Sequence, residues 1–309
     1  MLKLNCKTKF PYQGVIMAKF VLSAFADEAG SSLNEQITAL VENGIPYIEP
    51  RNIDSKPILT LTNEELYIVK AELDKHGIKV NSLGSPIGKF PIEEDFEKHL
   101  PDFYRALDVC DILGTKNIRM FSFFVTQDKL AENRDEVIRR LSIMADIAKE
   151  RGIRLCHENE SAIYGQMPGE VKDVLESVPE LYAIFDPANY RMNDADTIEG
   201  INVSLDKLAY LHIKDAIFAQ QIIVPAGEGE GKIGEVLDIV NEATDELIYL
   251  TLEPHLFLFD AYKLIDEHEL KGKYQFRNNR ESFDFAVKAL EELLISRGYK
   301  KGANAIWEK

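Results

Sequence analysis

Four times in the first half of this chain an amphipathic stretch ends in glycine and passes at once into an apolar run. The joins are Glu42-Asn43-Gly44-Ile45, Lys75-His76-Gly77-Ile78, Ile112-Leu113-Gly114-Thr115 and Glu150-Arg151-Gly152-Ile153. Glycine there supplies the positive φ that closes a helix C-terminus, and polar or basic residues before it suit the negative end of the helix dipole. From Gly44 to Gly77 is 33 residues, from Gly77 to Gly114 is 37, and from Gly114 to Gly152 is 38. One strand plus one helix fills such an interval, so the chain reads as a succession of βαβ units.

The helical period is legible between the glycines. Leu33, Ile37, Leu40 and Val41 share a face, and Leu66, Ile68, Val69 and Leu73 fall in one broader stripe, as do Val137, Leu141, Met144, Ile147 and Ala148. The second half adds strand-like runs at Leu181 to Phe185, Leu208 to Ile213 and Ile248 to Leu252, with helical patterns near Pro168 to Ser177, Gly234 to Asn241 and Ser282 to Leu294. With Phe20 to Phe25 and the four runs after the glycines, eight strands alternate with helices. Strands apolar on both faces imply a parallel sheet buried on both sides, and eight of them close naturally into a single α/β (β/α)8 TIM barrel. A doubly wound open sheet is the alternative, but Ser23 to Gly30 carries no GxGxxG phosphate loop.

With 309 residues and 45% hydrophobic positions, the chain can bury a large core. Its 36 Lys+Arg against 52 Asp+Glu give a net charge of −16, which opposes extended contact with nucleic acid or an anionic membrane. Small molecules remain as partners. Cys6, Cys110 and Cys156 stand far apart with no CxxC, the pattern of reduced thiols, so the expected compartment is the cytoplasm. Residues 1–18 read as an N-terminal arm, poorly ordered or an upstream-start extension without a signal-peptide pattern, and residues 19–309 as the barrel. The long aromatic-rich stretch from Leu256 to Phe276 has the length of a functional lid.

In a parallel barrel the chemistry sits at the C-terminal ends of the strands. Strands five to eight end in Glu158, Asp186, His212 and Glu253. A single carboxylate after a strand most often caps the next helix. Four ligand-type residues in register on four successive strands converge on one mouth, which capping does not require. Three carboxylates and one imidazole form a mostly oxygen shell suited to Mn²⁺, Mg²⁺ or Co²⁺, with Zn²⁺ also able to bind. An ion held this way can chelate adjacent oxygens of a hydroxyketone and acidify the neighbouring C–H.

The strings His157-Glu158-Asn159, Phe185-Asp186-Pro187-Ala188-Asn189, His212-Ile213-Lys214-Asp215 and Leu252-Glu253-Pro254-His255 resemble the sugar phosphate isomerase/epimerase family of the xylose isomerase-like barrel superfamily. The likeness runs from about Phe20 to Tyr299. Val224 to Gly231 is similar to the family's glycine-rich loop. The resemblance implies a metal held by Glu158, Asp186, His212 and Glu253, Mn²⁺ first among the candidates. It also implies that Glu158 and Glu253 serve as acid and base on opposite faces of a small sugar, sugar phosphate or polyol ketone. Inversion through a cis-enediolate needs one group to remove a proton and another to return it from the other side. A homo-oligomer is likewise an expectation from resemblance.

Two positions depart from the sugar epimerases. Asn189 stands where they often carry a histidine, and Lys214-Asp215 where they often carry an arginine-containing string. The His-Ile-Lys-Asp form is shared with dehydratase-like relatives, so an inosose-type lyase on the same metal is the second expectation. An endonuclease IV-like nuclease is a distant third, because six histidines and the net charge argue against a multinuclear cluster in a DNA groove. Lys89, Arg119 and Lys214 are candidates to hold a substrate phosphate, and Asn189 and His255 to contact substrate. Glu49, Arg51, Ser85 and Pro86 also follow strands, while alternation points His157 away from the mouth.

Overall fold

The computed structural model describes residues 17–257 and 274–309. All but the last two residues of the expected N-terminal arm, and most of the expected lid, lie outside the described residues. Eight strands line the barrel: β1 (Lys19–Ala24), β2 (Tyr47–Ile48), β3 (Lys79–Val80), β4 (Asn117–Met120), β5 (Arg154–Glu158), β6 (Tyr182–Phe185), β7 (Leu208–Ile213) and β8 (Leu247–Leu252). Around them run α1 (Leu33–Glu42), α2 (Asn63–Lys75), α3 (Leu100–Leu113), α4 (Leu130–Glu150), α5 (Pro168–Ser177), α6 (Pro187–Met192), α7 (Thr197–Ser204), α8 (Ile233–Ala243) and α9 (Asn279–Ser296).

The joining glycines behave as the sequence requires, with φ of 62° at Gly44, 71° at Gly77, 76° at Gly114 and 65° at Gly152. Helix starts are equally explicit. Ser32 and Thr62 each accept the N3 backbone N–H while Glu35 and Glu65 reach back, closing two capping boxes. The inner faces of α1 and α2 bury Ile37, Leu40, Leu66, Val69 and Leu73. Val41 and Ile68, placed on those stripes by period, are 49% and 62% exposed. Each helical residue turns about 100°, which carries these two past the buried edge.

Parallel ladders join β1 to β8, β8 to β7, β7 to β6, β6 to β5 and β5 to β4. The remaining quarter is thinner. β2 and β3 form their own two-residue parallel pair. The Glu49 N–H donates to Ala24 O (3.0 Å), while Leu83 N–H donates to Asn117 O (2.9 Å) and Arg119 N–H to Leu83 O (3.0 Å). These isolated bonds link the pair to its neighbours on either side without a continuous ladder. Pro50, Gly84 and Pro86 explain the short strands here, since proline cannot donate to a ladder and glycine packs nothing.

A second cause was not visible in the pattern. The C-terminal segments Lys300–Lys301 and Ile306–Glu308 form an antiparallel pair, and the latter takes the outer edge of β1 at Phe20 and Val21. Only the end of β1 is left for β2. Among the described residues, no helix is long and apolar enough to cross a membrane.

Candidate active site

The ends of β5 to β8 bring Glu158, Asp186, His212 and Glu253 together. One ligand-type atom from each lies within 4.8 Å of the other three, and all four residues are buried. Local folding aims each of them. Asp186 both caps and points inward: its Oδ1 accepts the Asn189 N–H (2.9 Å) at the start of α6, leaving Oδ2 for the cluster. The capping role and the ligand-type role therefore belong to different oxygens of one carboxylate. Asn159 grips the same turn, accepting the Asp186 N–H and donating to Asp186 O, each at 2.9 Å.

His212 is held between carboxylates. Its Nδ1 lies 3.1 Å from Glu158 Oε1 and 3.5 Å from Glu253 Oε2, and its Nε2 lies 3.4 Å from Glu49 Oε2. Glu49 in turn accepts from the Tyr210 hydroxyl (2.9 Å), so this carboxylate supports the imidazole. A carboxylate behind a ring nitrogen fixes the tautomer and orientation of a metal-binding histidine. Burial works against the imidazolium, but Glu158 and Glu49 outweigh it and raise His212 to about 10.

Lys214 enters the cluster itself. Its Nζ stands 2.8 Å from Asp186 Oδ2 and donates to Glu253 Oε2 (3.3 Å). The short Asp186 approach is an ion pair without a directed hydrogen bond, and Oδ2 has no hydrogen-bond partner. Burial disfavours the ammonium, yet Asp186 and Glu253 hold its pKa well above the ordinary lysine value. Asp186 itself is raised to about 6 by burial, which Lys214 opposes.

The two glutamates have unlike surroundings. Burial would raise Glu158, but His212 and Arg119 lower it to about 2; Asn189 Nδ2 donates to its Oε1 (3.3 Å). Burial likewise opposes the charge on Glu253, which Lys214 and His255 hold well below the usual range. Its Oε1 accepts from Arg51 Nη1 (3.0 Å) and lies 3.4 Å from His255 Nε2. Arg51 is anchored by a two-point contact to Asp27, Nε to Oδ2 and Nη2 to Oδ1, both 3.0 Å.

The other predicted contacts divide. Arg119 is 6% exposed, with Nη1 3.4 Å from Glu158 Oε2, so it joins the site. Asn189 joins it through Glu158. His255 lies beside it, its N–H donating to Glu28 Oε2 (2.8 Å) and its ring lowered to about 4 by burial against the opposing pull of Glu253. Lys89 is paired with Glu160 at 2.9 Å, its Nζ 4.3 Å from the centroid of Phe121, a ring that Arg119 also packs against. His157 points away, as alternation requires, with Nε2 2.8 Å from the Ser122 hydroxyl. Ser85 donates to Arg119 O (2.5 Å), a structural bond.

The sequence did not single out Phe25, Asp27 or Glu28. Phe25 is fully buried, edge-on to His212 at 5.2 Å, with the Arg51 and Arg119 guanidiniums 4.5 and 4.8 Å from its centroid. Asp27 and Glu28 occupy a 3-10 turn directly after β1, a strand-end position like the four ligand-type residues. That position was the available signal.

The glycine-rich loop has a specific partner in Asp215. Its carboxylate accepts the N–H groups of Ala216 (2.9 Å), Gly227 (2.9 Å), Gly229 (3.0 Å) and Gly231 (2.8 Å). A Cβ at Gly229 or Gly231 would press into Asp215 Oδ1, which is why this loop needs glycines there.

The donor set fits a divalent cation. Four buried N and O donors converge, three of them carboxylates, and Asp186 Oδ2 lacks a hydrogen bond. Oxygen-rich sites of this size suit hard or borderline divalent ions.

Residues 37–267 match the family described as xylose isomerase-like TIM barrel. No curated protein sequence matches the chain significantly. Among solved structures, the chain is similar to a probable 3-DHS dehydratase, AsbF, from Bacillus anthracis, with 15% identity, TM-score 0.68, and 88% of this chain and 98% of that one covered. It is similar to the IolI protein with a bound zinc atom (17% identity, TM-score 0.68, 90% and 99% covered). A D-psicose 3-epimerase from Clostridium cellulolyticum H10, solved with D-tagatose, matches at 15% identity and TM-score 0.65, covering 89% and 98%.

Proposed function

Because the chain belongs to the xylose isomerase-like TIM barrel family, we propose that it is a divalent-metal-dependent isomerase or epimerase of a small sugar, sugar phosphate or related polyol ketone. The observation that carries this reading is the convergence of Glu158, Asp186, His212 and Glu253 within 4.8 Å. These four residues would hold the ion, Mn²⁺ in the leading case. When bound, it would polarise the substrate carbonyl and lower the pKa of the adjacent C–H.

The protein's own groups do the rest. Glu158 and Glu253 are both held ionised, so either can take a carbon-bound proton. One removes the substrate's proton to give a cis-enediolate; the other, entering the cycle with a proton taken from solvent, delivers that proton to the opposite face, and exchange with solvent resets both. Arg119 beside Glu158, and Arg51 and His255 beside Glu253, fix the two carboxylates in place.

The test is proton exchange in D₂O, followed by NMR over a panel of ketoses, ketose phosphates and inosose with Mn²⁺. An epimerase incorporates solvent deuterium at the inverted carbon. Unaltered protium in every compound turned over would refute the proton-transfer mechanism.

The Lys214 ammonium, 2.8 Å from Asp186, favours a second reading, a dehydratase in which a cation beside the metal ligands assists departure of a hydroxyl. Loss of one water from the substrate, seen by mass, would select that reading.

A further inference from the structure

Arg119 is a buried guanidinium with too few acceptors. Its Nε has no hydrogen-bond partner. Nη2 reaches only Gly84 O at 3.5 Å, and Nη1 reaches Glu158 Oε2 at 3.4 Å with Glu253 Oε1 at 4.0 Å. Every one of these contacts is long for a charge-assisted hydrogen bond. The two carboxylates it meets are also proposed metal ligands. The rings of Phe25 and Phe121 lie 4.8 and 5.2 Å from its central carbon, offering aromatic faces and no acceptor oxygen. A guanidinium presents paired N–H groups in one plane, and a carboxylate matches that fork with two oxygens.

We propose that the substrate carries a carboxylate on the carbon next to its metal-chelating hydroxyketone, as a 2-oxo-3-hydroxy acid does, and that Arg119 binds it. This rests on the metal-dependent reading above. Position selects the class. Nη1 is within 3.4 Å of one proposed proton-transfer carboxylate and 4.0 Å of the other, so an anion bound there lies directly beside the reacting carbons. A phosphate ester would interpose at least a bridging oxygen. Lys89, whose Nζ lies 4.3 Å from the centroid of the same Phe121 ring, is already paired with Glu160. Arg119 is thus a specificity-determining residue.

A matched pair of probes isolates the carboxylate: D-fructose, and 2-keto-D-gluconate, in which the C1 hydroxymethyl is replaced by carboxylate. D-Fructose 6-phosphate supplies the phosphate arm. Dissociation constants are measured by calorimetry on Mn²⁺-loaded wild-type, Arg119→Lys and Arg119→Met proteins, with Mn²⁺ binding followed separately by electron paramagnetic resonance. Wild type should bind 2-keto-D-gluconate tighter than D-fructose by on the order of tenfold to a hundredfold, the worth of hydrogen bonds to a charged group. Arg119→Met should erase that difference and Arg119→Lys should keep part of it, each protein being measured at the Mn²⁺ saturation found for it. Equal binding of the pair by wild type, or a preference for the phosphate ester alone, overturns the inference, and the wild-type result decides even if a variant does not fold. Failure of wild type to bind Mn²⁺ would instead overturn the metal-dependent reading.

Discussion

The ammonium of Lys214 stands 2.8 Å from the carboxylate of Asp186, and both side chains are buried at the centre of the strand-end cluster. With Glu253 Oε2 at 3.3 Å, this lysine neutralises carboxylates that otherwise face one another in a low-dielectric interior. Removing one partner of a buried pair leaves the other uncompensated, which costs about 3–5 kcal/mol. Lys214→Met should lose stability of that order in urea unfolding without metal, and saturating Mn²⁺ should restore much of it. A metal-independent loss would contradict the shared location of ammonium and cation.

Metal uptake should depend on pH. His212, raised to about 10 without metal, must shed its proton before its nitrogen can coordinate a cation. Below that pKa, each added pH unit should strengthen Mn²⁺ binding by about tenfold until other groups titrate. Affinity measured from pH 6 to 8 checks this. A flat profile would remove His212 from the ligand set.

Glu158→Gln and Glu253→Gln each keep an oxygen but lose the ability to carry a proton. Turnover on whichever substrate the D₂O panel identifies should fall by about 10²–10⁴-fold in either variant, the usual worth of a general acid or base. Retained wild-type rates in both would end the two-carboxylate mechanism.

His157 gives stability its own pH dependence. Burial lowers it to about 4 from 6.5, so between those values the unfolded chain binds the extra proton. Its contribution is complete above about pH 6.5 and is lost as pH falls toward 4, by about 2 kcal/mol between pH 7 and 5. His157→Gln should show a correspondingly shallower loss in denaturant melts at those two pH values. Equal pH dependence in both proteins would show that the histidine is accessible to protons in the fold.

The barrel was legible because its signals are local. A C-cap glycine at Gly44 or Gly114 needs only its own helix, and a strand-end residue such as Glu158 or Asp186 needs only its own strand. The Arg51, Asp27 and Glu253 network spans contacts separated by 24 and 202 residues, and no periodicity encodes such pairs. The same holds for the antiparallel strand Ile306–Glu308, which meets β1 across nearly the whole chain. Asp215 shows the middle case: the glycines at 227, 229 and 231 announce a tight loop, but the carboxylate they wrap is 12 to 16 residues away.

Diffraction from crystals soaked in Mn²⁺, collected for anomalous scattering, tests the site most directly. A single strong peak should lie roughly 2.0–2.3 Å from one atom each of Glu158, Asp186, His212 and Glu253, distances ordinary for a divalent ion on N and O ligands. Full soaking with no peak among these four side chains, or a peak elsewhere in the barrel, would contradict the account.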